Sequence, residues 1–234
     1  TTERPPRQST PCDQAVCFGL VPVPRLAQTN GLSSTRAVPA PREQEEWPNG
    51  SVEKVSHRPE FLAAVAGYID RRYPAARGRV RPAHELSSVA STREALYLAA
   101  SVAVSPSRAD AIALMPNPFY QTYRVAAIMA GAEPHYLSHS GFPDFAIDLD
   151  GVDEAVLART SIMYLCSPSN PEGRVMPPER MRQAVLMARR HGFLVVFDEC
   201  YGELYDRDAP VGVLEVLAQM DASEHWLDNV LVLH

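Results

Sequence analysis

Residues 161–201 read SIMYLCSPSNPEGRVMPPERMRQAVLMARRHGFLVVFDECY. The short apolar run from Ser161 to Leu165 is too brief for a helix of its own and suits a strand buried on both faces. From Pro177 to about Arg190 the period changes. Met181, Ala184, Val185 and Ala188 fall on one helical stripe, Arg189 and Arg190 occupy the last turn, and Gly192 stands just beyond it. A second apolar run, Phe193 to Phe197, follows at once. Strand, helix and strand in this order predict a right-handed crossover between two parallel strands.

Working outward, the same rhythm recurs. Apolar runs at Ala111 to Met115, Tyr136 to Leu137 with their flanks, and Val230 to Leu233 alternate with helical patterns. Ser91-Thr92-Arg93-Glu94 is a Ser-x-x-Glu capping box, with Ala95, Leu96, Ala99 and Ala103 following at helical spacing. Earlier still, Phe61, Leu62, Val65, Tyr68 and Ile69 form the stripe of a helix whose first turn holds Pro59. The expected fold is α/β, a three-layer, doubly wound, mostly parallel sheet with helices on both faces.

Residues 1–50 differ in kind, since they hold 8 of the 21 prolines and sustain no apolar period. They are expected to be mostly irregular, giving a leader at 1–56 and a folded domain at 57–234. A transit peptide would be poor in acids, whereas this stretch carries Glu3, Asp13, Glu43, Glu45 and Glu46. The chain starts at Thr1 and stops after an apolar run, so both ends are expected to be cut.

Composition narrows the function. A net charge of -6 gives no electrostatic footprint for nucleic acid or anionic lipid, and no apolar run has the length of a membrane span. A cytoplasmic enzyme with small-molecule partners is the expectation. Cys12, Cys17, Cys166 and Cys200 form no disulfide framework and no Cys-x-x-Cys pair. His135 and His139 are four apart in a strand-like segment, where that spacing does not align metal ligands, so no metal site is expected. The 22 basic residues comprise 21 arginines and one lysine, Lys54. A mechanism needing a lysine must use Lys54 or a residue beyond this chain.

In a doubly wound sheet, ligands bind outside the carboxyl ends of the strands. The residues that follow the runs are Pro116-Asn117-Pro118-Phe119-Tyr120, Cys166-Ser167-Pro168-Ser169-Asn170-Pro171-Glu172-Gly173 and Asp198-Glu199-Cys200-Tyr201. With the helix start at Ser91 they offer an anion-binding N-terminus, an aromatic ring, an amide, a carboxylate and a phenol. Together these suit a planar, phosphorylated heteroaromatic cofactor whose protonated ring nitrogen would neutralise Asp198.

These residues resemble the fold-type I, class I and II aminotransferases that use pyridoxal 5'-phosphate, over roughly residues 57–234. Ser167 to Gly173 looks like the family's Asn-Pro-x-Gly signature, and Asp198 with Tyr201 like its Asp-x-x-Tyr. Within the family, Pro116 to Gln121 and Phe197 to Tyr201 look most like N-succinyldiaminopimelate aminotransferases of lysine biosynthesis. The resemblance implies that Asp198 partners the pyridine nitrogen and that Asn170 and Tyr201 bond the phenolic oxygen. It implies further that Tyr120 stacks on the ring and that Ser91, Thr92 and Arg93 hold the phosphate. The Schiff-base lysine would lie just after His234, leaving no catalytic residue in this chain and the chain inactive alone. The substrate-clamping small domain is expected to be largely missing, and the intact protein to be a homodimer. Two departures stand out. Ala90-Ser91 precedes Thr92-Arg93 where Asn-Gly is common, and Glu172 replaces a usual Thr. A carbon-sulfur lyase of the same fold is the alternative reaction. A transcription regulator would need a basic winged helix ahead of the domain, which residues 1–50 do not provide.

Overall fold

The computed structural model describes residues 17–20, 59–140, 146–221, 223 and 225–234. The crossover at its centre forms as the sequence predicts. Strand β5 (Thr160–Cys166) is buried along its whole length, as a central strand covered on both faces must be. Helix α6 (Pro178–His191) begins after Pro177 and buries Met181, Ala184, Val185 and Ala188. Glu179 in its first turn and Arg189, Arg190 and His191 in its last oppose the helix dipole. It ends at Gly192, which takes the left-handed conformation (φ 74°) that a side chain would resist. Strand β6 (Leu194–Asp198) then pairs parallel to β5, with Cys166 opposite Asp198.

Around this unit the chain adds β1 (Cys17–Leu20), α1 (Pro59–Arg72), α2 (Pro82–Glu85), β2 (Leu86–Val89), α3 (Thr92–Ala103), β3 (Ile112–Met115), α4 (Gln121–Met129), β4 (Glu133–Tyr136), α5 (Glu154–Arg159), α7 (Val213–Met220) and β7 (Val230–Leu233). The strands form one sheet in the order β2-β1-β7-β6-β5-β3-β4. Strands β3 to β7 run parallel, and β1 is antiparallel to both of its neighbours. The run expected around Tyr136 and Leu137 starts earlier, at Glu133. Residues 17–20 lie within the stretch expected to be mostly irregular, yet they form β1. The rest of residues 1–56, Lys54 included, lies outside the described residues.

Alternation along the strands splits the core into two layers. On one face Leu114, Met163, Leu165, Val195, Phe197 and Val232 meet α1, α6 and α7. On the other, Ala113, Met115, Ile162, Tyr164, Val196 and Leu231 meet α3 and α4. This is the three-layer, mostly parallel architecture expected from the alternating pattern. Connections leave β3 towards β4 in one direction and run from β5 to β6 to β7 in the other, so the order reverses between β3 and β5. Such a reversal opens a crevice at the carboxyl ends of the two strands.

Among the described residues, strand β4 is an edge of the sheet. The Glu133 and Leu137 N–H groups donate inward to the Ala111 and Met115 carbonyls, so the intervening Pro134 sits where an N–H would point outward. Arg159 pairs with Glu133 at 2.9 Å on the same rim.

Candidate functional site

The loop after β3 and the loop after β5 flank this crevice, and the end of β6 lies beside them. Asp198, 4% exposed, is fixed from both sides. The Tyr123 hydroxyl of α4 donates to its Oδ2 at 2.8 Å, and the Cys200 N–H reaches Oδ1 at a long 3.4 Å. Burial, and then the adjacent Asp198 carboxylate, push the Tyr123 phenol far above its usual range, so Tyr123 stays a donor. Its ring stacks on Tyr164 of β5 at 4.8 Å between centroids, a contact that fixes the donor's direction. Oδ1 keeps acceptor capacity for a cationic or N–H donor.

Asn170 and Tyr201 also come together, the Asn170 amide donating to the Tyr201 hydroxyl at 3.2 Å. Burial raises the Tyr201 phenol. Ser91 caps α3, its Oγ accepting the Glu94 N–H at 3.2 Å, while the Glu94 carboxylate turns back to the Ala90 N–H at 3.0 Å. The capping box therefore forms, with its return bond one residue earlier than the usual pattern. Thr92 and Arg93 open the helix. Arg93 Nε donates to the Tyr120 hydroxyl at 3.0 Å, so these two residues contact one another directly. Tyr120 in turn meets Tyr123 edge to face at 5.8 Å.

A cavity of about 550 Å³ opens beside these groups, between Asn117 and Pro118 on one side and Ser169, Asn170 and Met176 on the other. It touches Tyr123 and Asn170 but not Asp198 or Tyr201, so those two polar groups lie beyond its rim. Cys166 at its wall gives its S–H to the Pro168 carbonyl, and burial pushes its thiol up to about 12. It is a structural thiol at neutral pH.

The sequence reading missed Tyr123. Its signal was its place three residues after Tyr120, the spacing that stacks two side chains on one helix face. It also missed Glu199, which is as buried as Asp198 and faces the opposite layer, where it meets Tyr73 and Val213.

Fold and site together define an α/β domain with a parallel sheet and polar groups gathered at a strand-order reversal. The profile of the class I and II aminotransferases matches residues 29–232, and the chain belongs to that family. It is 30% identical over 170 residues to LL-diaminopimelate aminotransferase of Gloeobacter violaceus, covering 71% of this chain and 42% of that protein. The crystal structure of an aminotransferase from Neisseria meningitidis superposes with a TM-score of 0.68 at 31% identity, over 75% of this chain and 43% of that one. A Thermus thermophilus protein described as a probable N-succinyldiaminopimelate aminotransferase gives a TM-score of 0.56 at 26% identity, over 68% and 40%. The chain thus spans about two fifths of the length of these relatives. Among the described residues no helix is long and apolar enough to cross a membrane.

Proposed function

We propose that this chain is the pyridoxal-phosphate-binding part of a cytoplasmic aminotransferase that moves an amino group between an amino acid and a 2-keto acid. The observation that carries the reading is Asp198, a buried carboxylate with one oxygen held by Tyr123 and the other holding only a long N–H contact. A lone buried charge is costly, and a protonated ring nitrogen offsets that cost. The rest of the donor set suits the same group. Asn170 and Tyr201 offer N–H and O–H donors for a phenolic oxygen, and Tyr120 offers a ring face. Ser91, Thr92 and Arg93 offer free N–H groups, hydroxyls and a guanidinium for a phosphate.

When bound, pyridoxal phosphate supplies an electron sink for charge developing at the substrate's α-carbon. Asp198 would hold the ring nitrogen's proton in place, and Tyr123 would hold Asp198. The N-terminus of α3 would set the depth of the phosphate, and Tyr120 would cover one ring face and exclude water from it. In sequence, Lys54 precedes the first helix and corresponds to no Schiff-base position of the family, so we infer that the lysine of the reaction lies outside residues 1–234. The 234 residues alone are expected to turn over no amino acid.

The names of the relatives, LL-diaminopimelate aminotransferase above all, support a substrate of the diaminopimelate type and a place in lysine biosynthesis. The whole protein is expected to be a homodimer. Titrating the chain with pyridoxal phosphate tests the site, read by cofactor absorbance and protein fluorescence. Saturable binding that Asp198→Ala weakens at least about tenfold is expected, the cost of a charge-assisted hydrogen bond. Binding that is indifferent to Asp198→Ala and to Tyr201→Phe overturns the assignment.

A further inference from the structure

Asp198 and Glu199 are consecutive, and they bond to opposite layers. Asp198 meets Tyr123 of α4, while Glu199 meets Tyr73, just after α1, and the start of α7. Glu199 is 2% exposed. Its Oε1 accepts the Val213 N–H at 2.6 Å and its Oε2 accepts the Tyr73 O–H at 3.0 Å. Its own N–H donates to the Leu233 carbonyl at 2.8 Å, tying it to the end of β7. The same Tyr73 oxygen lies 3.2 Å from Nε2 of His234, which is 3.7 Å from Glu199 Oε2. Gly212 closes the cluster, since a Cβ there would stand 2.5 Å from both Glu199 Oε2 and Tyr73 Cε1.

Tyr73 has one proton and two neighbours that can accept it. We propose that Tyr73 relays the protonation state of Glu199 to His234, so that the imidazole at the end of β7 changes tautomer when Glu199 gains a proton. With Glu199 ionised, its carboxylate takes the Tyr73 O–H, and His234 must present Nε2–H to the Tyr73 oxygen. With Glu199 protonated, the proton sits on Oε2, because Oε1 already accepts the Val213 N–H. Oε2–H then donates to Tyr73, and Tyr73 donates to a bare Nε2, leaving the imidazole proton on Nδ1. One proton enters overall. It is bound at Nδ1, the Nε2 proton passes to Tyr73, and the Tyr73 proton passes to Glu199.

Among the described residues, the charged and titratable neighbours are Arg72 and Tyr68 on α1, Asp198 on β6 and Glu203 in the loop beyond it. Arg72 lies over the Tyr73 ring at 4.9 Å and pairs with Glu203 at 2.7 Å, and Tyr68 donates to Glu203 at 2.7 Å. Glu215 of α7 turns to the Ala75 N–H instead. Burial pushes Glu199 up to about 7 and holds His234 down at about 4, so the acid titrates while the imidazole stays neutral.

Long-range proton–nitrogen correlation spectra of the histidine-labelled chain, recorded from about pH 5 to 9 without cofactor, read the tautomer directly. His234 is expected to stay neutral and to pass from Nδ1–H to Nε2–H with a midpoint near 7. Glu199→Gln, whose amide donates to Tyr73, is expected to hold Nδ1–H at every pH, and Tyr73→Phe to remove the pH dependence. One tautomer throughout the parent's range overturns the relay, as does ordinary protonation of His234 near 6.5. If Glu199→Gln does not fold, Tyr73→Phe decides, because a tautomer change that persists without the phenol's proton rules the relay out. None of these readings involves cofactor, so they stand apart from the titration that tests the proposed function.

Discussion

Asp198 is held by a partner 75 residues away in sequence, and that separation shapes what its neighbours' substitution does. Tyr123→Phe keeps the ring stack on Tyr164 but removes the O–H, leaving a buried carboxylate oxygen without its strongest donor. A stability loss of about 1–3 kcal/mol is expected in denaturant melts, together with weaker cofactor binding. Unchanged values in both would show that Tyr123 does not orient Asp198. Gly212→Ala acts by volume instead, since the new Cβ meets the Glu199 carboxylate and the Tyr73 ring at 2.5 Å. A cost of about 1–3 kcal/mol is expected, and a melting temperature equal to the parent's would contradict it. Asp198 was legible in the sequence because a carboxylate after an apolar strand is a local signal, as was Ser91 in its capping box. Tyr123 and Tyr73 were not, because each takes its role from an element distant in sequence.

Among the elements, α6 and the strands beside it were readable because period, cap and terminal glycine agreed over a long stretch. Strand β1 was not, since four residues carry no period and its partners lie near residues 86 and 233. The junction of α1, β6, α7 and β7 carries two opposed pH effects. Glu199's native pKa is raised from 4.5 to about 7, so its contribution to stability is full below 4.5 and is lost as pH rises through 7. His234's is lowered from 6.5 to about 4, so its contribution is full above 6.5 and is lost as pH falls through 4. Each is on the order of 3 kcal/mol, and in the parent they largely cancel between pH 4.5 and 6.5. Glu199→Gln should unmask a stability that falls towards acid, and His234→Gln one that falls towards neutral pH. Urea midpoints across that range test this, and slopes of the same sign in the two variants would refute it.

At the scale of the whole molecule, a single lysine makes cofactor chemistry easy to map. Mixing the chain, its α-amine blocked, with pyridoxal phosphate, reducing with borohydride and mapping peptides is expected to give no stoichiometric adduct coupled to turnover. Such an adduct on Lys54, with an amino acid consumed, would mean that the catalytic lysine lies in this chain after all. Pro134 has a different consequence. Of the two outward positions of β4, 134 and 136, the first is a proline and lacks the donor that a foreign strand would need, and Arg159 and Glu133 keep that rim hydrated. Addition of a further strand is disfavoured at this margin. Copies that meet at this margin gain more from side-chain contacts than from backbone pairing, which favours keeping each sheet a separate unit.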